Sequence, residues 1–327
     1  MYIVTGGAGF IGSGVVWKLN RMGVNDILIV DHLDASEKWK NLRGLRFADY
    51  LDRTRFLELM QSERDPFGTK AVIHLGACSA TTEFNAAFLM ENNYRYSQTV
   101  CRFCLERSVR FIHASSAATY GDGAAGFNDD LTVLDRLRPL NPYGYSKHAF
   151  DLWAKREKLL PRFAALKFFN VFGPNEYHKD DMRSVVCKAY EQIKAGGTMR
   201  LFKSYRNDCP DGGQSRDFVY LKDCLEVIGW LIENPGVNGI FNLGTGRARS
   251  FNDLARAVFA AMGAAPRIEY IEMPEAIRDK YQYFTEAKMD RLRASGYDAP
   301  FTELEDAVAD YVKNYLAAPS PYLADGA

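Results

Sequence analysis

The sequence predicts an α/β fold: a doubly wound parallel sheet with helices on both faces, followed by a smaller, mostly helical unit. Three observations predict it. Short apolar runs alternate with helical patterns through the first half of the chain. The series Gly7-x-Gly9-x-x-Gly12 lies between the first apolar run and the first helical pattern, the context of a Rossmann-type turn. Ser116, Tyr143 and Asn170 fall at or near strand C-termini, the edge at which such sheets hold ligands.

In chain order, Tyr2–Thr5 reads as a short buried strand, followed by Gly6–Gly12 and then a helical pattern through Leu19. Ile27–Val30 is a second strand ending in Asp31, and Ala71–His74 another, with its exit at Gly76. Asn93–Glu106 has helical periodicity. Arg110–Ala114 is a strand that delivers Ser115 and Ser116. Pro142–Lys158 is a helix with proline in its first turn, a favoured place for it. Ala164–Phe169 is a strand ending at Asn170. Beyond Gly173-Pro174 the pattern loosens: Asn207–Gly213 reads as a surface loop, Ile240–Leu243 as a strand and Phe251–Met262 as an amphipathic helix. The expected division is a dinucleotide-binding unit over 1–172 and 217–247, a substrate-binding unit over 173–216 and 248–317, and a loose tail over 318–327.

Composition sets limits. The 327 residues include 41 Lys+Arg against 41 Asp+Glu, so bulk charge gives no reason to expect nucleic acid or an anionic membrane as partner. No run of 18 apolar residues suggests a membrane span, and no basic leader precedes Tyr2, so a cytoplasmic protein is expected. The six cysteines are scattered, as reduced thiols are. Cys101 and Cys104 have C-x-x-C spacing inside a helical pattern, without a second pair, and read as ordinary thiols. The histidines have no metal-ligand spacing, so no metal is expected.

Two motifs carry chemistry. The glycines of the first turn permit a tight bend and close approach of backbone to a pyrophosphate at a helix N-terminus. Asp31 lies where an acid holds a ribose 2′-hydroxyl and favours NAD, yet His32, Lys38, Lys40 and Arg53 nearby suit a 2′-phosphate. On these residues alone NAD and NADP both remain open. The second motif is Tyr143-x-x-x-Lys147, a phenol and an ammonium on one helix face, roughly 6 Å apart at Cβ. A neighbouring ammonium favours the phenolate and should lower the tyrosine's pKa. Ser116, or its neighbour Ser115, is the candidate to hydrogen-bond a reacting oxygen.

Thr5–Gly12, Ser116, Tyr143-x-x-x-Lys147 and Arg216-Asp-Phe-Val219 together resemble the extended short-chain dehydrogenase/reductase family that acts on nucleotide sugars. Within it the chain is similar to the branch that epimerises ADP-heptose. The matching segments are Gly76–Ser79, Thr81–Glu83, Glu91–Asn93, Ala114–Gly121, Phe168–Val171 with Gly173-Pro174, Glu176–Lys179, Asn242–Arg247 and Lys280–Thr285. They cover the chain to about Leu316.

The resemblance implies inversion at C6″ of an ADP-linked heptose through a transient ketone, with NADP, in preference to NAD, tightly held. It implies cofactor contacts from Gly6, Gly9, Phe10, Ile11, Gly12, Asp31, His32, Lys38, Arg53, Leu75, Gly76, Ala77, Cys78, Ser79, Asn92, Lys147 and Val171. Implied substrate contacts are Asn170, Lys188, Phe202, Lys203, Ser204, Tyr205, Arg216 and Tyr281. Tyr143 and Lys179 would be the two acid/base groups, with Ser116 and Lys147 assisting. On the residues alone, Lys179 reads as a solvated loop lysine, and Arg216 could instead pair with Asp217. A homo-oligomer, a pentamer in this branch, and a role in lipopolysaccharide inner-core synthesis are also implied.

Three positions depart from the branch's pattern: Asp180-Asp181 follow Lys179, Gly14 replaces asparagine, and Leu75 replaces an acid. Two carboxylates beside Lys179 would raise its pKa and repel a diphosphate unless they face solvent. Two rival functions stay in view. A dehydratase needs an acid just after the active serine, where this chain has Ala117-Ala118-Thr119. A nucleotide sensor should have lost Tyr143 or Lys147, and this chain has both.

Overall fold

The computed structural model describes residues 1–62, 65–278 and 281–324. Lys280 of the matched Lys280–Thr285 segment, and 325–327 of the expected tail, lie outside the described residues.

The first half of the chain alternates strands and helices. The elements are β1 (Tyr2–Thr5), α1 (Phe10–Arg21), β2 (Ile27–Asp31), β3 (Asp49–Asp52), α2 (Arg53–Gln61), β4 (Ala71–His74), α3 (Ala86–Leu89) and α4 (Tyr96–Glu106). Then come β5 (Arg110–Ser116), α5 (Pro142–Arg156), β6 (Ala164–Phe168) and β7 (Asn170–Phe172). The second half contributes α6 (Val185–Gly196), β8 (Met199–Phe202), β9 (Ser215–Tyr220), α7 (Leu221–Glu233), β10 (Gly239–Leu243), β11 (Ala248–Ser250), α8 (Phe251–Ala261) and β12 (Ile268–Ile271). A further helix spans Leu304–Tyr311.

Seven strands form the main sheet in the order β10-β6-β5-β4-β1-β2-β3. Every pairing is parallel. β2, β4, β6 and β10 bury every residue, as expected where helices cover both faces and strands read as continuous apolar runs. The register sets Thr5 beside Val30 and His74, and Ser116 beside Phe168. Gly6, Leu75 and the end of β5 therefore emerge together at the C-terminal edge.

Local chemistry fixes the helix starts. Asn141 caps α5 by accepting from Gly144 N at 2.8 Å, with Pro142 in the first turn. Ser184 caps α6, which ends at Gly197 in the left-handed region (φ +70°). Ser250 and Asp253 form a capping box on α8. α1 crosses α7 closely at Gly14, where a Cβ would come within 3.0 Å of the Leu225 side chain. That packing accounts for glycine at this departure from the branch's pattern.

A second core gathers Phe172, Val186, Phe218, Phe259 and Tyr311 among α6, α8 and the helix Leu304–Tyr311. Two small sheets complete it, β11-β9-β7 and β12-β8, so this part holds more strand than the sequence reading gave it. Ala287, Met289, Leu292 and Tyr297, read from sequence as part of the substrate unit, pack into the first core. β5 also runs two residues beyond the expected end at Ala114.

The tail expectation needs correction over 318–324. Leu323 is buried, and its backbone N donates to Asn175 Oδ1 at 2.9 Å. Tyr177 Oη donates to Pro321 O at 2.7 Å and Trp17 Nε1 to Ala324 O at 3.1 Å. Small, polar composition suggested looseness; these long-range bonds could not be seen in it.

Candidate active site

At the C-terminal edge of the main sheet lies a cavity of about 610 Å³. Every residue that the sequence resemblance assigned to the cofactor lines it, and so do Ser116, Tyr143 and Lys179. Sequence reasoning missed Thr5, Tyr96, Phe168, Phe169, His178 and Met182 on the same wall. Most of these flank the recognised motifs, and that adjacency was the available signal.

One end of the cavity is built for a phosphate. Gly6 takes φ +67°, and a Cβ on Gly12 would stand 1.9 Å from the Gly6 carbonyl oxygen. Only glycine fits there. Gly9 begins α1 without a capping side chain, and the first turn holds no acidic residue. Its N–H groups and positive dipole end are free to meet an anion.

The next wall carries the acid and the basic groups that bear on the ribose. Asp31 accepts from Ala8 N at 2.9 Å, His32 N at 2.7 Å and Lys38 Nζ at 2.7 Å. The acid is thus already engaged by a lysine. His32 sits 3.1 Å from Asp52, and that hydrogen bond holds the Asp52 carboxyl below its usual range. Arg53 bonds the Asn92 side chain. Three basic groups converge on one wall, a donor set that fits a dinucleotide with an added phosphate.

Beneath the loop from Leu75 to Ser79, Thr5 Oγ1 accepts from Gly76 N at 3.1 Å and shares a 2.6 Å hydrogen bond with His74 Nδ1. Ser97 lies 2.9 Å from the other ring nitrogen. Burial drives the His74 pKa down to about 3, so this imidazole is a neutral strut.

At the sheet edge, α5 presents Tyr143 and Lys147 one turn apart, and β5 delivers Ser116. Ser115 is committed elsewhere: its hydroxyl donates to Asp151 Oδ2 at 2.8 Å. That leaves Ser116 as the serine whose bond acts on Tyr143. The Tyr143 pKa differs from the sequence expectation. Burial pushes the phenol up, and the Ser116 hydrogen bond pulls against it. The Lys147 Nζ donates to Ala114 O at 2.7 Å. Burial also depresses Lys147 itself, to about 8, while Asp151 opposes that shift.

Behind these groups lies an enclosed ion pair. Lys167 Nζ and Asp151 Oδ2 are 2.7 Å apart, and neither is more than 1% exposed. Lys167 also donates to Thr119 Oγ1 at 2.6 Å, and Thr119 donates to the Ser116 carbonyl at 2.8 Å.

Lys179 enters the cavity from the segment after β7. Its Nζ lies 5.0 Å from the centre of the Phe10 ring. Burial lowers its pKa and Glu176 opposes the change. Asp180 and Asp181 are exposed, so neither drives that shift. Glu176 is fully buried and anchors the segment, accepting from Ser184 Oγ at 2.6 Å and Tyr311 Oη at 3.0 Å. Asn175 adopts φ +75°. Its side chain donates to Ser13 Oγ at 2.9 Å, and Asn41 Nδ2 donates to its carbonyl at 3.1 Å. Asn41 also donates to Ala8 O at 2.9 Å. Sequence alone gave no signal for Asn41 or Asn175, whose partners lie far off along the chain.

None of the expected substrate residues lines this cavity. Six of them nevertheless group nearby in the fold. Arg216 is buried between the rings of Phe251 (5.6 Å) and Tyr281 (5.2 Å), and bonds the Gln282 carbonyl. It does not pair with Asp217, whose carboxylate instead accepts from Thr245, Gly246 and Ala287 backbone N–H groups. Phe202 packs edge-on to Tyr281, and Tyr283 bonds Tyr205 N. Lys203 and Ser204 lie between Phe202 and Tyr205. β7 links group and cavity: Val171 lines the cavity while Asn170 pairs with Phe218 of β9. Lys188 joins neither; its Nζ donates to Asp181 O at 2.5 Å.

Among the described residues, no group of three or more His, Cys, Asp or Glu could hold a metal, and no helix is long and apolar enough to cross a membrane. Cys101 and Cys104 are buried on α4, with thiol pKa values pushed up by burial, the condition of inert thiols.

A glycine cradle, a Tyr/Lys helix face and a serine at a strand end define the class of protein. Residues 2–244 match the NAD dependent epimerase/dehydratase family, and the chain belongs to that family. The chain is 62% identical over 323 residues to ADP-L-glycero-D-manno-heptose-6-epimerase of Nitratidesulfovibrio vulgaris strain DP4, covering 99% of this chain and all of the relative. Its fold matches the crystal structure of the Helicobacter pylori ADP-L-glycero-D-manno-heptose-6-epimerase at a TM-score of 0.79. The identity is 24%, over 97% of this chain and 96% of the other. It also matches a Thermus thermophilus UDP-glucose 4-epimerase in complex with NAD at a TM-score of 0.73. Here the identity is 25%, over 94% and 96%. The chain is an isomerase of the nicotinamide-dependent nucleotide-sugar type.

Proposed function

We propose that the chain inverts C6″ of ADP-D-glycero-β-D-manno-heptose to the L-glycero form while holding NADP. One observation carries the mechanism: Tyr143 and Lys179, two groups able to exchange a proton, face the same cavity as the uncapped, glycine-lined start of α1. Gly6, Gly9 and Gly12 would cradle the pyrophosphate, and His32, Lys38 and Arg53 the 2′-phosphate. Bound there, the dinucleotide supplies reversible hydride transfer, so C6″ passes through a ketone and no net redox change results.

The protein's own groups handle the proton. Tyr143 removes it from the hydroxyl of one epimer, and Lys179 serves the other. Ser116 holds the reacting oxygen and favours the phenolate of Tyr143. Burial lowers the Lys179 pKa and so favours its neutral amine relative to a solvated lysine, and the outward-facing Asp180 and Asp181 leave that shift intact. General acid–base help of this kind is worth about 10²–10⁴-fold. Arg216, with Phe202, Tyr205 and Tyr281, would receive the ADP moiety, since a guanidinium fork suits a diphosphate and aromatic rings suit a base. Asn170 would reach the sugar from β7, and Lys188 would add charge at the rim. NADP is favoured over NAD because Asp31 is already engaged by Lys38.

The two cores support a dinucleotide-binding unit of 1–172 with 217–247, and a substrate-binding unit of 173–216 with 248–317 that lends 287–297 to the first core. A cytoplasmic homo-oligomer, a pentamer in this branch, supplying heptose for lipopolysaccharide inner core completes the proposal.

The test is incubation of the purified chain with ADP-D-glycero-β-D-manno-heptose, following C6″ by proton NMR without added reductant. An epimer mixture without net NADPH release is expected, and unchanged substrate on a cofactor-loaded chain would refute the substrate. Lys179→Met should slow epimerisation by at least about 10²-fold; full activity in both directions would remove the second base. Elimination is disfavoured because Ala117-Ala118-Thr119 follow Ser116 and supply no carboxylate.

A further inference from the structure

We infer that residues 321–324 form a strap that holds both walls of the cofactor cavity, and that Tyr322 and Leu323 are positioning residues for retention of the dinucleotide. This rests on the epimerase function, in which the same bound dinucleotide must survive both halves of the reaction.

One wall is the segment 38–44, carrying Lys38. The other is 175–182, carrying His178, Lys179 and Met182. The strap touches each. On the first wall, the Arg43 guanidinium lies 5.0 Å from the centre of the Tyr322 ring. Gly44 and Ala324 are so close that a Cβ on Gly44 would come within 2.8 Å of Ala324 Cβ. On the second wall, Tyr177 Oη donates to Pro321 O at 2.7 Å, the Tyr177 and Tyr322 rings meet edge-on at 5.3 Å, and Leu323 N donates to Asn175 Oδ1 at 2.9 Å. Asn175 then reaches Ser13 in the first turn of α1, and Asn41 ties Asn175 to Ala8. A single network therefore joins the phosphate turn, the two walls and the strap.

The second wall departs from helical geometry within and just before its short 3-10 turn. Asn175 and Asp180 have positive φ, +75° and +44°, a region that asparagine and aspartate tolerate better than other side chains but less well than glycine. Such a backbone persists only when its surroundings hold it. The strap supplies part of that hold by fixing both the side chain of Asn175 and Tyr177. Releasing it lets the Lys179 segment move away from the cavity, and nucleotide escapes. The effect belongs on the dissociation rate, where changes at the periphery of a bound ligand usually fall.

The experiment compares release of bound dinucleotide from Tyr322→Ala, Tyr322→Phe and a chain stopped after Ser320, each loaded with NADP and chased with excess unlabelled nucleotide. Tyr322→Ala should release about ten-fold faster, equivalent to about 1.4 kcal/mol, and Tyr322→Phe, which keeps the ring contacts, should match the parent. The shortened chain should be faster still; if it fails to fold, Tyr322→Ala, which alters only a half-buried ring, carries the test. Melting of the cofactor-free forms is recorded in parallel. Unchanged release from Tyr322→Ala, or a tenfold rise shared by Tyr322→Phe, overturns the strap. A parent chain that holds no nicotinamide dinucleotide overturns the functional reading and the strap together, whereas normal retention with unaltered heptose overturns only the substrate.

Discussion

Lys147→Met should make the cofactor-free protein more stable at neutral pH while removing its activity. Burial lowers the Lys147 ammonium from 10.5 to about 8. At about 1.4 kcal/mol per pKa unit, the folded chain carries a penalty of about 3 kcal/mol for keeping this charge at pH 7. Against it stands the 2.7 Å bond to Ala114 O, whose loss leaves a buried carbonyl unpaired at a cost of about 1–2 kcal/mol. The net gain for methionine is about 1–2 kcal/mol. Its pH dependence is distinctive. Between about 8 and 10.5 the unfolded lysine binds more protons than the folded one, so the parent becomes more stable as pH rises through that window. The methionine variant lacks this rise, and its advantage vanishes and then reverses. Urea unfolding of both stripped proteins at pH 7 and near the top of the window measures the difference. A variant less stable at pH 7, or a difference independent of pH, would refute the reasoning.

Gly12→Ala should abolish saturable dinucleotide binding in a fluorescence titration, because its Cβ would lie 1.9 Å from the Gly6 carbonyl oxygen; retained binding would show that the turn can yield. Asp151→Asn strands the Lys167 charge in a fully buried site and should destabilise the fold by about 3–5 kcal/mol in urea, with a shift below 1 kcal/mol refuting the pair as a structural requirement. Arg53→Ala should weaken NADP by about 1.5–3 kcal/mol, the worth of a charged hydrogen bond, and leave NAD nearly unchanged; equal losses for both would remove Arg53 from phosphate recognition.

The main sheet was legible because its determinants are local. The apolar runs at Tyr2–Thr5, Ile27–Asp31 and Ala71–His74 are buried on both faces, and the turn at Gly12 admits only glycine. α7 was passed over although Leu221, Cys224, Leu225, Ile228 and Leu231 follow helical spacing, so the signal was present. β3 gave less to read, as an edge strand of sequence Asp49-Tyr-Leu-Asp52. The residues that the resemblance assigned to a cofactor do line one cavity. The hold of Asn41 and Asn175, and the anchoring of Leu323, were not legible, since each depends on partners more than a hundred residues away. The Tyr143 expectation failed for a physical reason: spacing put an ammonium nearby, but burial pushes the phenol up, and burial at this position cannot be read from spacing.

The order of strands in the main sheet constrains how the protein can be made. β10, at Gly239–Leu243, closes the edge beside β6, and the cavity walls rest on residues still farther along. A chain emerging from a ribosome has displayed every residue that lines the pocket by Met182, yet the strand that closes the sheet edge and the contacts of Leu323 come only later. Until then β6 is an open edge, able to pair with another nascent chain. Polysomes crowded with half-built copies are the point in its life at which this protein is most exposed to aggregation.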